Sequence, residues 1–161
     1  MIIFRKFYNL KSYIYNSCRT RWFKRIVTKC GNNVKVFGKI DVVNPRNIIV
    51  GNDVTFNHGC YINAFNPIRI GNDVVFSANV SLISTGIDVN SWLTGNKRHL
   101  SDEGISIGDH VWVGAGSQIL NNVHINGSFV VIAAGAVVNK DINKSYCIVG
   151  GCPAKVIKYL K

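Results

Sequence analysis

An apolar side chain returns at every sixth position over most of this 161-residue chain. From Val50 the count meets Phe56, Ile62, Ile68, Val74 and Val80; after an interruption it resumes at Ile107, Val113, Ile119, Ile125, Val131 and Val137. A parallel series, Ile105, Val111, Ser117, Val123 and Phe129, runs two residues earlier. Neither the helical period nor simple alternation over one long strand sustains such a count. Short strands separated by regular turns do, because each turn returns the same position to a central core. Turn-forming residues follow the apolar positions: Val50-Gly-Asn-Asp, Ile70-Gly-Asn-Asp, Ile107-Gly-Asp-His and Val113-Gly-Ala-Gly. Gly and Asn tolerate positive φ, and Asn or Asp closes a turn on its own backbone. The intervening Ile and Val suit strands. One such coil cannot bury its own core and a stack can, so the spacing predicts an all-β solenoid of parallel coils. Between Ile125 and Val138 two phasings fit, one of them requiring a seven-residue step and a bulge.

Three segments follow. Residues 1–30 read as a basic amphipathic segment, helical over 3–29, with Ile3, Phe7, Leu10, Ile14, Trp22, Phe23 and Ile26 roughly on one face. Residues 31–152 hold the coils, with an excursion over 86–104. Residues 153–161 form a short cap, helix or strand, opening at Pro153. The net charge of +11 is concentrated in the first forty residues. Residues 1–40 carry ten of the nineteen basic side chains and no acid, leaving nine basic against eight acidic side chains in the remainder. Such a segment can cap the first coil, lie on an anionic membrane, or bind nucleic acid. The coils offer no nucleic-acid recognition motif, so a cap doubling as a peripheral membrane contact through residues 1–30 is the expectation. No run approaches the ~18 apolar residues of a membrane span, and Met-Ile-Ile-Phe-Arg-Lys places charge where an export signal is apolar. A cytoplasmic protein, peripheral at the inner face of the membrane, is expected. The five cysteines lack a paired spacing and read as reduced thiols.

Three motifs, Ile107-Gly-Asp-His-Val-Trp-Val-Gly-Ala-Gly, Ile132-Ala-Ala-Gly-Ala-Val-Val-Asn-Lys-Asp-Ile and Val149-Gly-Gly-Cys-Pro-Ala-Lys-Val-Ile-Lys, carry a resemblance. They resemble the hexapeptide-repeat acyltransferases, and more narrowly the sugar and polysaccharide O-acetyltransferases, over residues 31–158. The resemblance implies a left-handed parallel β-helix, a homotrimer with active sites between subunits, acetyl-CoA as acyl donor and a glycan acceptor. No metal is expected, because His110 and His124 are fourteen positions apart with no short paired histidine spacing.

Acyl transfer to a hydroxyl requires a base for the proton and donors for the oxyanion. Histidine suits the first task near neutral pH, and the chain has only His58, His99, His110 and His124. The stretch Ser81-Leu-Ile-Ser-Thr-Gly-Ile-Asp is similar to the family stretch that ends in a catalytic His followed by Asp, but Ile87 stands at the His position. His99, in the excursion beside Lys97 and Arg98 and near Asp102, whose carboxylate would orient its ring, is the first substitute, and Asp88 in the family-like stretch is a further catalytic candidate. His58 is the second, since Phe56-Asn-His-Gly-Cys resembles the family's Asn-rich turn and places Asn57 beside it. His110 reads as structural or cofactor-adjacent and His124 as an exposed coil residue. For acetyl-CoA, Gly114, Ala115, Ala133 and Ala134 offer a wall of low bulk, Trp112 and Ser117 further wall, and Lys140, Lys155 and Lys158 cations for its phosphates. The alternative is a catalytically inactive trimeric scaffold that lost its base at Ile87. The acceptor hydroxyl, and O- against N-acetylation, stay open.

Overall fold

The computed structural model describes residues 2–96 and 103–161, with the backbone alone for residues 2–9. Helix α1 (Ile2–Ile26) leads into the first coil, β1 (Lys29–Cys30), β2 (Lys35–Val36) and β3 (Asp41–Val43). The second coil is β4 (Ile48–Val50), β5 (Thr55–Phe56) and β6 (Tyr61–Asn63); the third is β7 (Ile68–Ile70), β8 (Val74–Phe76) and β9 (Ser81–Ile83). A short helix α2 (Val89–Leu93) precedes the fourth coil, β10 (Ile105–Ile107), β11 (Val111–Val113) and β12 (Gln118–Leu120). The fifth coil is β13 (Val123–Ile125), β14 (Val130–Ile132) and β15 (Val137–Val138), followed by β16 (Cys147–Gly150) and β17 (Lys155–Tyr159). Strands stack into three sheets: A is β1-β4-β7-β10-β13, B is β17-β16-β14-β11-β8-β5-β2, and C is β15-β12-β9-β6-β3. The result is a left-handed β-helix with a triangular cross-section. All pairings are parallel except β16 with β17, so the closing cap is a strand that turns back along sheet B.

The hexad count works because positions i and i+2 of the three-residue strands in sheets A and B face inward, as Ile48 and Val50 do, while in sheet C the middle residue does, as Ile62 in β6. The early coils nevertheless span twenty residues, since Ile48 pairs with Ile68, whereas Ile105 pairs with Val123 eighteen positions on. The seven-residue step is the one adopted. Val130, Ile132 and Val138 enter the core, while Val131 and Val137 are only half-buried and Phe129 is exposed, against the count that placed all three inward. Val111 pairs with Val130, so the extra residue falls in the turn before β14.

The Gly-Asn-Asp turns stack as a ladder at the edge between sheets A and B. Asn32 N donates to Asn52 Oδ1 (2.8 Å), Asn52 N to Asn72 Oδ1 (2.9 Å) and Asn72 N to Asp109 Oδ1 (2.6 Å). A Cβ on Gly51 would lie 2.5 Å from the carbonyl oxygen of Gly71, so the turn leaves no room for a side chain there.

The hydrophobic face expected of the N-terminal segment docks only in part, through Phe23 and Ile26. Phe23 and Val27 are buried, Ile26 is partly buried, and Leu10, Ile14 and Trp22 are exposed. Two polar residues share the docked face: Val36 N donates to Thr20 Oγ1 (3.0 Å) and Gly38 N to Asn16 Oδ1 (3.1 Å). These amides lie on the open edge of β2 and the turn after it, where no earlier coil is present to accept them. Leaving a buried donor unpaired costs about 1–3 kcal/mol, which explains polar residues at this contact. The Phe23 ring meets Phe56 (centroids 5.0 Å), which stacks on Phe76 (4.9 Å), so helix and core form one aromatic column.

Candidate active site

The edge between sheets B and C gathers the largest share of the expected site residues. After β5 the chain turns through Asn57 and His58 into β6. Asn57 donates both its backbone N (3.0 Å) and its Nδ2 (2.9 Å) to the carbonyl of Phe76, which fixes the turn to the next coil. The neighbouring residue, His58, is exposed, while its carbonyl accepts from Asn79 N (3.0 Å). One coil further the position is Ala78, whose carbonyl accepts from Gly116 N (2.9 Å), and then Ala115, whose carbonyl accepts from Gly135 N (2.9 Å). His58, Ala78, Ala115 and Ala134 thus form one column along the edge. Hydrogen-bonded strands lie about 4.8 Å apart, so the imidazole stands roughly 10 Å along the edge from Ala115. Above it in the column every side chain is a methyl group, which leaves a shelf of small residues beside one titratable ring.

The shelf cannot be thickened. A Cβ on Gly114 would lie 2.6 Å from Ala134 N and from Ile132 O, both backbone atoms. Ser117 was expected in the wall, but it is fully buried and its hydroxyl donates to Gly114 O (2.6 Å), so it shapes the shelf from within. Cys60, two residues from His58, is buried with Sγ against Ser77 O (3.3 Å), and burial pushes its thiol pKa up. It is a protonated core side chain rather than a thiolate nucleophile.

The remaining expected residues lie elsewhere. Lys140 and Lys155 line one pocket of about 290 Å³ at the last coil, with Lys144 and Asp141. Lys158 stands on β17, paired with Ile148, and Trp112 projects from the outer face of sheet B with Nε1 donating to Ser77 Oγ (3.0 Å). Asp88 sits beyond the end of sheet C, on a different edge from His58. It caps α2 by accepting from Asn90 N (3.0 Å), Ser91 N (3.3 Å) and Ser91 Oγ (2.6 Å). The Ser91 hydroxyl and these amides hold its carboxyl below the usual range, so the cap is complete above the ordinary carboxylate pKa and is lost as pH falls through the lowered one. Within one chain Asp88 and His58 are not brought together. His99, with Lys97, Arg98 and Asp102, lies outside the described residues. Ile87, at the family's histidine position, is exposed.

His124 was expected to be an exposed coil residue but is half-buried. Its Nδ1 pairs with Ser106 Oγ (2.8 Å) and its Nε2 approaches Glu103 (3.5 Å), pinning the return of the excursion to sheet A. The sequence reading missed a second polar constellation. His110 Nδ1 bonds Asp73 Oδ2 (2.8 Å), and the His110 ring stacks on Phe129 (4.5 Å), which stacks on Tyr146 (4.8 Å). The signal was present: Asp73 and His110 occupy the same place in Ile70-Gly-Asn-Asp and Ile107-Gly-Asp-His, so stacking makes them neighbours. Beside them a groove of about 490 Å³ is lined by Val75, Trp112, Val131 and Leu160. Among the described residues no three His, Cys, Asp or Glu side chains converge as metal ligands would.

The stacked hexapeptide coils and the edge of small residues define a hexapeptide-repeat solenoid. No protein-family model matches the chain. It is 31% identical over 140 residues to galactoside O-acetyltransferase of Escherichia coli (strain K12), covering 87% of this chain and 68% of that protein. A galactoside acetyltransferase solved in complex with coenzyme A superposes with TM-score 0.79 and 31% identity, covering 86% of this chain and 68% of the other. A maltose O-acetyltransferase from Clostridium difficile 630 superposes with TM-score 0.72 and 26% identity, covering 94% and 88%. The chain belongs to the hexapeptide-repeat acetyltransferases.

Proposed function

We propose that this chain transfers an acetyl group from acetyl-CoA to a sugar hydroxyl of a surface polysaccharide or its precursor. The observation that carries the reading is the edge column, where His58 is the one titratable ring on a shelf of Ala78, Ala115 and Ala134. His58 takes the proton of the acceptor hydroxyl as its oxygen attacks the thioester carbonyl. The tetrahedral intermediate places negative charge on the former carbonyl oxygen, and backbone amides of the edge, near Gly59 or Ala115, stabilise it. Collapse expels the CoA thiolate, which takes up a proton, and leaves the acetyl ester. The small shelf suits pantetheine, and Lys140 and Lys155 suit its phosphates. The acceptor class and donor are supported by the relatives that act on galactosides and maltose and by the coenzyme A complex.

Active sites between the subunits of a homotrimer complete the reading, since they let Asp88 and the excursion of one copy approach the edge of another. A second reading rests on Ile87: an isoleucine transfers no proton, and a decayed enzyme persisting as a trimeric scaffold would look like this. Turnover separates them. The purified protein is expected to consume acetyl-CoA when offered a glycan acceptor, and Ile87→His is expected to leave that rate within about threefold. No turnover by the native chain, with activity appearing in Ile87→His, would establish the scaffold reading instead.

A further inference from the structure

We infer that helix α1 seats the molecule on an anionic membrane surface, lying along it through the face turned away from the first coil. The inference does not depend on the acetyl-transfer reading. Asn16, Thr20, Phe23 and Val27 define the docked face of the helix. At ~100° per residue, Lys11, Ile14, Arg21 and Arg25 fall on the opposite side. Leu10 and Ile14, one turn apart, are 57% and 52% exposed, and Trp22 is 45% exposed. Within α1 there are seven basic side chains and no acid. Lys11 and Arg19 lie over the exposed Tyr15 ring at 5.8 Å and 5.7 Å, which keeps cations around the apolar tip.

Apolar side chains ringed by long cationic ones fit one environment. Leu10, Ile14 and Trp22 enter the acyl boundary while lysine and arginine stems lie along it and hold their charges among the head groups. Anionic lipids attract each basic residue near the surface, and the nearly neutral coils leave that attraction to this segment. Nucleic acid would use the cations and leave the apolar tip in water. A second copy would set two all-positive helices against each other. No helix among the described residues is long and apolar enough to cross a membrane, so α1 is placed on the surface. The first coil then faces the lipid, and the cap strand β17 lies at the other end of the stack.

Cosedimentation of the full chain with vesicles tests this. Vesicles of phosphatidylcholine with about one third phosphatidylglycerol are expected to pellet the protein, and phosphatidylcholine alone is not. Binding should fall as salt shortens the screening length from ~10 Å at 0.1 M to ~3 Å at 1 M. Leu10→Asp with Ile14→Asp is expected to weaken vesicle binding at least about tenfold. Both positions are exposed, and the helical circular dichroism of the double variant should be unchanged. Lys11→Glu with Arg21→Glu should weaken it comparably. The inference is overturned if anionic vesicles fail to bind, or if the aspartate variant binds them as well as the native chain. It is also overturned if duplex DNA displaces the vesicles and binds both proteins equally.

Discussion

Replacing His58 with alanine is expected to lower acetyl transfer by about 10²- to 10⁴-fold, the range a positioned general base contributes. The ring is exposed and its backbone, rather than its imidazole, holds the coil through Asn79, so the fold should not notice the change. Acetyl-CoA affinity should also be nearly unaltered, because the loss falls on proton transfer and not on the donor shelf. Steady-state turnover, beside a thermal melt and a donor titration, reads these three quantities separately. His99→Ala in the same assay shows which histidine serves. If both single variants and the double variant turn over at the native rate, no base has been identified and the mechanism is wrong.

Phe56→Ala is expected to cost about 3–5 kcal/mol of stability, the range for removing a fully buried aromatic ring. Phe56 is the middle of the Phe23–Phe56–Phe76 column, with ring centroids 5.0 Å and 4.9 Å away and no exposure of its own. Its loss removes one ring contact to the core, at Phe76, and one to the helix, at Phe23. A domain of ordinary stability, about 5–15 kcal/mol, would lose a large share of it. The nearby Phe37→Ala, at an exposed position, should change stability by about 0.5 kcal/mol or less. Urea unfolding measures both, and amide exchange in residues 16–27 should rise sharply in Phe56→Ala alone. Equal stability in the two variants would mean that helix and coils do not share one core.

The architecture was legible because a coil fold writes its core into regular spacing. Hexads from Val50 to Val80 all face inward, and the Gly-Asn-Asp turns sit where the ladder needs small and amide-bearing residues. The late phase was not legible for a physical reason. Val130, Val131 and Ile132 are all β-branched and apolar, so composition favours neither register; the extra turn residue decides it. The helix face was legible at Phe23 and Ile26 but not beyond them, because its docked side includes Asn16 and Thr20, which answer unpaired edge amides, a need that no hydrophobic periodicity records.

For the site, the turn at Asn57 and His58 and the small residues of Gly114-Ala115 and Ala133-Ala134 were visible as separate motifs, and only stacking shows that they share an edge. Asp73 and His110 are thirty-seven positions apart and become partners because β10 pairs directly with β7, which sets their turns on consecutive coils. Ser117 looked like a wall residue and is an interior strut. Sequence spacing predicts which positions recur on a coil; it does not show how far one motif lies from another until the coil length is known.

The most direct test of the central claim, that this solenoid edge binds acetyl-CoA for transfer, is calorimetric titration of acetyl-CoA into the purified protein at known oligomeric mass. Saturable binding with a Kd on the order of micromolar, one site per chain in a trimer, is the predicted result. A well-folded trimer that takes up no acetyl-CoA would contradict the account and leave Ile87 as the mark of a lost enzyme.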